Sequence, residues 1–458
     1  MATAPNRDMG SGSVKKWMVQ LAVPALVGQV VNLLYNVVDR IYIGHIPEIG
    51  AAALTGVGLF TPILMLITAF ALLAGSGGAP RAAIAMGKGE KDHAEHIMGN
   101  CFTLVLILSV ILTAVFYFTA PTLMRWFGAS DNTLPYAVTY GRIYILGSIF
   151  VLTVMGMNSF ITTQGFAKFS MLTTVIGAAI NIVLDPIFIF VFDMGVAGAA
   201  TATVISQAVS ALWILRFLTG KKTILKLKTS RMKLQGKVIG PCLGLGVSTF
   251  VMISTESILS ISFTSSLARY GGDVAVGAMT VMTSINQLIS MPLQGLTQGG
   301  QPLMGFNYGA KKYDRVREAF LCQFLVCISY TIVFWALLMC FPRFFASIFT
   351  PDQALLDYAS WAIRIFLGGA LCVGFQMSCQ QAFVALGQAK VSLFMACLRK
   401  LILLIPLIFI LPLFFETNAD KAFAVFLAEP ISDVIAATVT TATFFAFFRK
   451  MLKNKETE

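Results

Sequence analysis

The chain carries little charge for its length. Asp, Glu, Lys and Arg make up 12% of its 458 residues, and histidine occurs only three times. A soluble domain is about one quarter charged, so an ordinary water-facing surface is excluded. The shortage of histidine removes most metal-centre and acid–base chemistry. His93 and His96 stand three apart on a helical turn, but two histidines alone are a weak ligand signal, and a structural or solvated role is the plainer reading. The eight cysteines form no C-x-x-C pair and fall mainly in apolar stretches of the second half, where they read as small buried hydrophobes. No nucleophile elbow, phosphate loop or zinc-helix motif is present. The chain is therefore not expected to be an enzyme, and no cofactor is expected beyond a transported ion. Residues 1–13 are polar and small and lack the charged-then-apolar pattern of a cleaved signal peptide, which leaves targeting to the first apolar segment.

Acidic residues are also scarcer than basic ones, 21 against 33, for a net charge of +12. Membrane topology explains this excess better than nucleic-acid binding. The chain is 57% hydrophobic, with mean hydropathy +0.80. Its apolar stretches are long enough to cross a hydrocarbon core of about 30 Å as helices. The expected spans are 16–42, 50–78, 98–120, 135–160, 169–192, 197–218, 239–268, 273–300, 319–342, 357–385, 391–415 and 421–448. Lys and Arg concentrate at the two termini and in every second loop. Arg125, Arg269, Arg343 and Lys421 are the ones that fall at or in the opposite loops. This asymmetry predicts a multi-pass protein with both termini in the cytoplasm. The most basic segment, Lys221 to Lys237, is expected to lie along the inner membrane surface, drawn to anionic lipid.

The two halves repeat at a fixed step of 222 residues. Gly77-Gly78-Ala79-Pro80 falls on Gly299-Gly300-Gln301-Pro302. Gly87 falls on Gly309, Arg142 on Arg364, Gly147 on Gly369, and Gly165-Phe166-Ala167-Lys168 on Gly387-Gln388-Ala389-Lys390. Two matched six-helix halves are a usual plan for an alternating-access transporter with its site between them. The expected organisation is a polar tail (1–13), an N-lobe (14–220), a basic linker (221–238), a C-lobe (239–448) and a second tail (449–458).

Polar residues line single faces of several spans. The first carries Gln29, Asn32, Asn36 and Asp39 at steps of three, four and three, with Tyr35 beside them. Lipid cannot solvate such a face, so it points into protein or a water-filled cavity. The amides could be structural glue between helices, whereas a carboxylate in a membrane points to function. Arg40 could pair with Asp39 or reach the outer interface. The fifth span carries Thr173, Gly177, Asn181 and Asp185, four apart, followed by Pro186. The sixth carries Ala199, Thr203 and Gln207. Carboxylates, an amide, a hydroxyl and a backbone carbonyl suit a small hard cation or a proton. Asn158 in the fourth span is assigned to a substrate cavity with Gln29, Asn32, Tyr35, Asn36 and Gln207. In the second half, Glu256, Asn286, Gln287, Glu429 and Asp433 join it. Met279, Met282 and Met291 default to packing, but soft Met walls also suit a promiscuous pocket. Arg399 and Lys400 either neutralise Glu256, Glu429 or Asp433, or face an anionic substrate. Pro24 interrupts the first span as a static bend or a hinge. Asp39 matches Ile261 and Asp185 matches Leu407, so the acids belong to the first copy alone.

Several of these motifs resemble one known family. Asn36-Val37-Val38-Asp39-Arg40 with Gly44, Asn181-Ile182-Val183-Leu184-Asp185-Pro186, Gly198-Ala199-Ala200 to Ser206-Gln207, Gly299-Gly300-Gln301-Pro302 and Gly305-Phe306-Asn307-Tyr308-Gly309-Ala310 are similar to the multidrug and toxic compound extrusion (MATE) family. The acid pair resembles its DinF-like branch, close to the MepA-type bacterial exporters. That resemblance implies an all-α membrane protein of twelve helices in two six-helix lobes, a V-shaped bundle around a central cavity. It implies a monomer in the bacterial plasma membrane that exports cationic aromatic drugs in exchange for H+ or Na+. The ion site it implies is Asp39, Asn181, Asp185, Thr203 and the Ala199 carbonyl. The second-lobe cation site of the family is matched only in part, by Glu256. A flippase for a lipid-linked or anionic amphiphile, with Arg399 and Lys400 on its headgroup, is the alternative.

Overall fold

The computed structural model describes residues 8–127, 129–349 and 353–453. The outermost parts of both tails, 1–7 and 454–458, lie outside these. Among the described residues there is no strand. Twelve membrane-length elements follow in chain order: α1 (Val14–Gly44), α2 (Gly50–Gly87), α3 (Lys91–Trp126), α4 (Leu134–Leu146 and Ser148–Thr163, bent by 56°), α5 (Ala167–Val191), α6 (Gly195–Thr219), α7 (Gly236–Gly272), α8 (Val274–Gly309), α9 (Tyr313–Cys340), α10 (Gln353–Ala385), α11 (Ala389–Phe414) and α12 (Asn418–Lys453). Each matches an expected span and overruns it at one end or both. Helical hydrogen bonding does not require apolar side chains, so the helices run on past the apolar stretches.

The 222-residue step is repeated in backbone geometry. Gly89 after α2 has φ 80°, and its match Lys311 after α8 has φ 56°. Gly165 before α5 has φ 83°, and Gly387 before α11 has φ 72°. The α4 bend falls at Gly147, and α10 loosens into a 3₁₀ turn at Leu367–Gly369, the matched place. Side chains follow the same rule. The Asn158 amide donates to the Ser170 carbonyl at 3.3 Å, and the matched Gln380 amide donates to the matched Ser392 carbonyl at 2.8 Å.

The halves pack against each other through glycines related by the same step. A methyl group on Gly87 would run into the Phe306 carbonyl, and one on Gly309 into the Ile84 carbonyl; Phe306 is the match of Ile84. Gly246 abuts the Leu73 backbone. Gly295, the match of Leu73, abuts Ala25-Leu26, beside Pro24, the match of Gly246. This reciprocity is a pseudo-two-fold axis, with α2 crossing to α7 and α8 crossing to α1. These close approaches gather toward the end of the bundle that also holds the linker. Met9, Gly10, Ser11 and Gly12 reach the same end, where their carbonyls accept from Asn307, Lys312 and Arg315.

The linker is held by protein contacts, which the expectation of a segment resting on lipid did not include. Gln164 Oε1 accepts from the Thr223 hydroxyl (2.8 Å) and from the backbone N–H groups of Ile224 and Leu225 (2.7 Å each). Glu95 takes the Lys226 N–H (3.1 Å) and the Lys228 ammonium (2.7 Å). Arg231 pairs with Asp92 and lies 3.0 Å from His96 Nε2. His96 therefore sits in the seam between linker and α3, in keeping with a structural role. The lysines at 221, 222, 226, 228, 233 and 237 remain exposed.

Candidate functional site

The first lobe buries its acids together. Asp39 on α1 and Asp185 on α5 are 7% and 0% exposed, and their carboxyl groups are close enough to act on each other. Asn181, one turn before Asp185, donates to Asp185 Oδ1 (3.2 Å) and to the Thr203 hydroxyl (3.3 Å) on α6. Ala199 is fully buried one turn earlier on α6. The local fold explains the gathering. After Pro186, α5 widens into a π turn over Ile187–Val191, a local change of pitch of the kind often found at functional sites. Gly198 lets α6 approach the Phe188 backbone closely.

Asp39 Oδ1, Asn181 Oδ1 and Asp185 Oδ2 are buried and accept no hydrogen bond. Unpaired buried oxygens are costly. Two carboxylates facing each other, each with an unpaired oxygen, can receive positive charge, either a proton shared between them or a cation ligated by the surrounding oxygens. Among the described residues no group of three or more His, Cys, Asp or Glu is gathered as for a metal. A cation here would depend on the two acids with the Asn181, Thr203 and backbone oxygens.

Two groups at this site were not picked out from the sequence. Tyr140 and Tyr144 on α4 are buried and stacked at 6.2 Å, and both pack edge-on against Phe60. The Tyr35 and Tyr140 hydroxyls lie within reach of Thr203. Their i, i+4 spacing in an apolar span was a visible signal. Their matches are Ala362 and Phe366, so these hydroxyls, like the acids, occur only in the first copy.

The other assigned residues are more scattered. Asn32, Tyr35, Asn158 and Gln207 are half-buried in the first lobe. Asn158 Oδ1, Gln207 Oε1 and Trp213 Nε1 are buried without partners. Asn36 is exposed and turns its amide back onto the Asn32 carbonyl at 2.7 Å. Gln29 reaches across the seam between lobes to the exposed Gln298 at 3.2 Å, so it links the halves. Asn286 and Met291 are half-buried and Gln287 is exposed. Met279 and Met282 belong to the packed core of the second lobe, at 9% and 0% exposure, which agrees with their default packing reading and not with their assignment to a cavity wall. Rotation of α8 about its axis decides this, and three- and four-residue spacings leave that rotation open. Arg40 is exposed, in a groove with Ile41, Gly44 and His45.

In the second lobe Arg399 and Lys400 meet Glu256, Glu429 and Asp433. Arg399 donates to Asp433 (2.7 Å) and Glu429 (2.9 Å). Lys400 pairs with Glu256 and donates to the Met252 carbonyl at 2.6 Å. A π turn over Leu398–Leu404 presents these two adjacent cations toward different neighbours, α12 and α7.

Comparison with known proteins now decides the family. The MatE family model matches residues 24–187 and 248–410, one stretch in each half. The chain belongs to the MATE family. It is a multi-pass membrane transporter and not an enzyme. Multidrug export protein MepA of Staphylococcus saprophyticus is 23% identical over 401 residues, 87% of each chain. A solved structure described as MATE in the bent conformation is 25% identical, covers 98% of both chains and superposes with a TM-score of 0.90. Another, described as MATE in the straight conformation, is 26% identical, covers 98% of this chain and all of that one, and has a TM-score of 0.89. The V-shaped bundle of MATE transporters is thus the fold of this chain.

Proposed function

We propose that this MATE protein is a multidrug exporter of the bacterial plasma membrane, with both termini cytoplasmic, driven by H+ or Na+ moving inward. The observation that carries the reading is the buried Asp39–Asp185 pair with its unpaired oxygens, built into one lobe of a duplicated scaffold and missing from the other. An ion bound there neutralises the acids. The ion then leaves only when the site is opened to the other side, which couples the two fluxes. With the linker end cytoplasmic, the close glycine approaches shut the inner side, and the arrangement is open outward. Rocking of the lobes about that seam is the alternating step.

The transported compounds are amphipathic and aromatic, commonly cationic, bound as a monomer's single cargo between the lobes. MepA is by name a multidrug exporter, and this likeness supports the substrate class. Pro24 breaks one hydrogen bond inside α1, on the helix that carries Asp39. Bent and straight forms exist among the solved relatives, and a bend at Pro24 is how this chain would reach them. The flippase alternative loses its support, because Arg399 and Lys400 are already held by acids. The decisive test is efflux of a fluorescent aromatic cation in vesicles with proton and sodium gradients imposed separately. Transport indifferent to both gradients would overturn the coupled reading.

A further inference from the structure

The second lobe contains an imbalance that the Asp39–Asp185 site does not explain. Glu429 and Asp433 lie one turn apart on α12, at 7% and 3% exposure. Both turn to the same guanidinium, that of Arg399, at 2.9 and 2.7 Å. The other nearby cation is committed elsewhere, since Lys400 sits on Glu256 and on the Met252 carbonyl. Among the described residues, the half-buried Cys372 thiol on α10 is a further titratable neighbour. Two carboxylates therefore share one fixed positive charge inside the membrane. With both ionised, the group carries an uncompensated negative charge where such a charge is costly.

We propose that Glu429 and Asp433 hold one exchangeable proton between them, making the second lobe a proton-binding site separate from the first. The proton comes from water, binds one carboxylate oxygen and leaves the Arg399 ion pair intact on the other acid. A proton fits better than a metal ion for two reasons. A hard cation needs several oxygens around it, and here the guanidinium already fills one side. Gly369 closes the other so tightly that a methyl group on it would lie 3.2 Å from Asp433 Oδ2. Access is through Arg399, whose side chain keeps 19% exposure. Binding of this proton is independent of the exporter reading; only its movement with substrate rests on that reading.

The test is acid titration of the purified full chain in detergent, counting protons taken up in weakly buffered solution. The first-lobe variant Asp39→Asn is compared with Asp39→Asn/Glu429→Gln and Asp39→Asn/Asp433→Asn. Loss of one proton of uptake from either double variant is the expected result, since each amide keeps a partner for Arg399 and neutralises the triad. An infrared difference spectrum, the chain with Glu429 and Asp433 intact minus Glu429→Gln, cancels the first-lobe acids, and a carboxylic-acid band in it reads the same proton if a double variant fails to fold. Identical uptake in all three proteins, with no such band, would overturn the proposal. Efflux by Glu429→Gln bears on coupling alone, so the two ideas fail separately.

Discussion

Asp185 and Leu407 occupy matched places in the two halves, yet one is a buried acid and the other an apolar side chain. The difference is affordable only because Asn181 and Thr203 surround the acid. Replacing Asp185 by Asn keeps the shape and removes the charge on which the proposed ion coupling depends. Gradient-driven efflux by Asp185→Asn is expected to fall at least tenfold, about 1.4 kcal/mol of lost coupling, while binding of a fluorescent substrate in detergent persists. Equal loss of binding and transport would place Asp185 in the substrate pocket instead. Arg399 is the opposite case, a single cation satisfying two buried acids. Arg399→Met leaves both unpaired, and a loss of about 3–5 kcal/mol is expected, seen as a lower thermal midpoint in detergent.

Elements show how the copies diverged on a shared backbone. Gly89 and Lys311 take the same left-handed turn, but only glycine does so without a Cβ conflict. Lys311→Gly should therefore raise thermal stability by about 0.5–1 kcal/mol, and a lowered midpoint would contradict a strained turn. The linker is ordered largely through Gln164, whose one oxygen takes three hydrogen bonds. Gln164→Leu removes the acceptor for two backbone N–H groups, at about 1–3 kcal/mol for each one left buried. Faster proteolysis between Lys221 and Lys237 is the expected readout.

At the scale of the molecule, the seam between the halves is made of backbone approaching backbone. Gly87 and Gly309 are where the two copies interlock, each against the other's match. A side chain at either place holds the lobes apart at that end. Gly87→Val is expected to disfavour the closed seam by about 1–3 kcal/mol and to expose Cys242, now buried at 1%, to a thiol reagent. Unchanged labelling would show that the seam yields elsewhere.

The spans, the duplication and the acid-bearing faces were legible in the sequence, because hydropathy, glycine spacing and helical periodicity are local properties of a chain in lipid. The pairing of Asp39 with Asp185 could be anticipated as two polar stripes and a family resemblance. Its geometry could not, because contacts between helices depend on how far each turns about its own axis. That rotation brought Tyr140 to Thr203, sent Met279 and Met282 into the core and carried Gln29 across to Gln298. It also decided which cation meets which acid in the second lobe, where Arg399 and Lys400 are neighbours in sequence but serve different helices. The sequence by itself determined a duplicated membrane transporter with an acid site in one copy. Only tertiary packing, acting over distances that no window of residues spans, decided which side chains complete that site and where charge is left over.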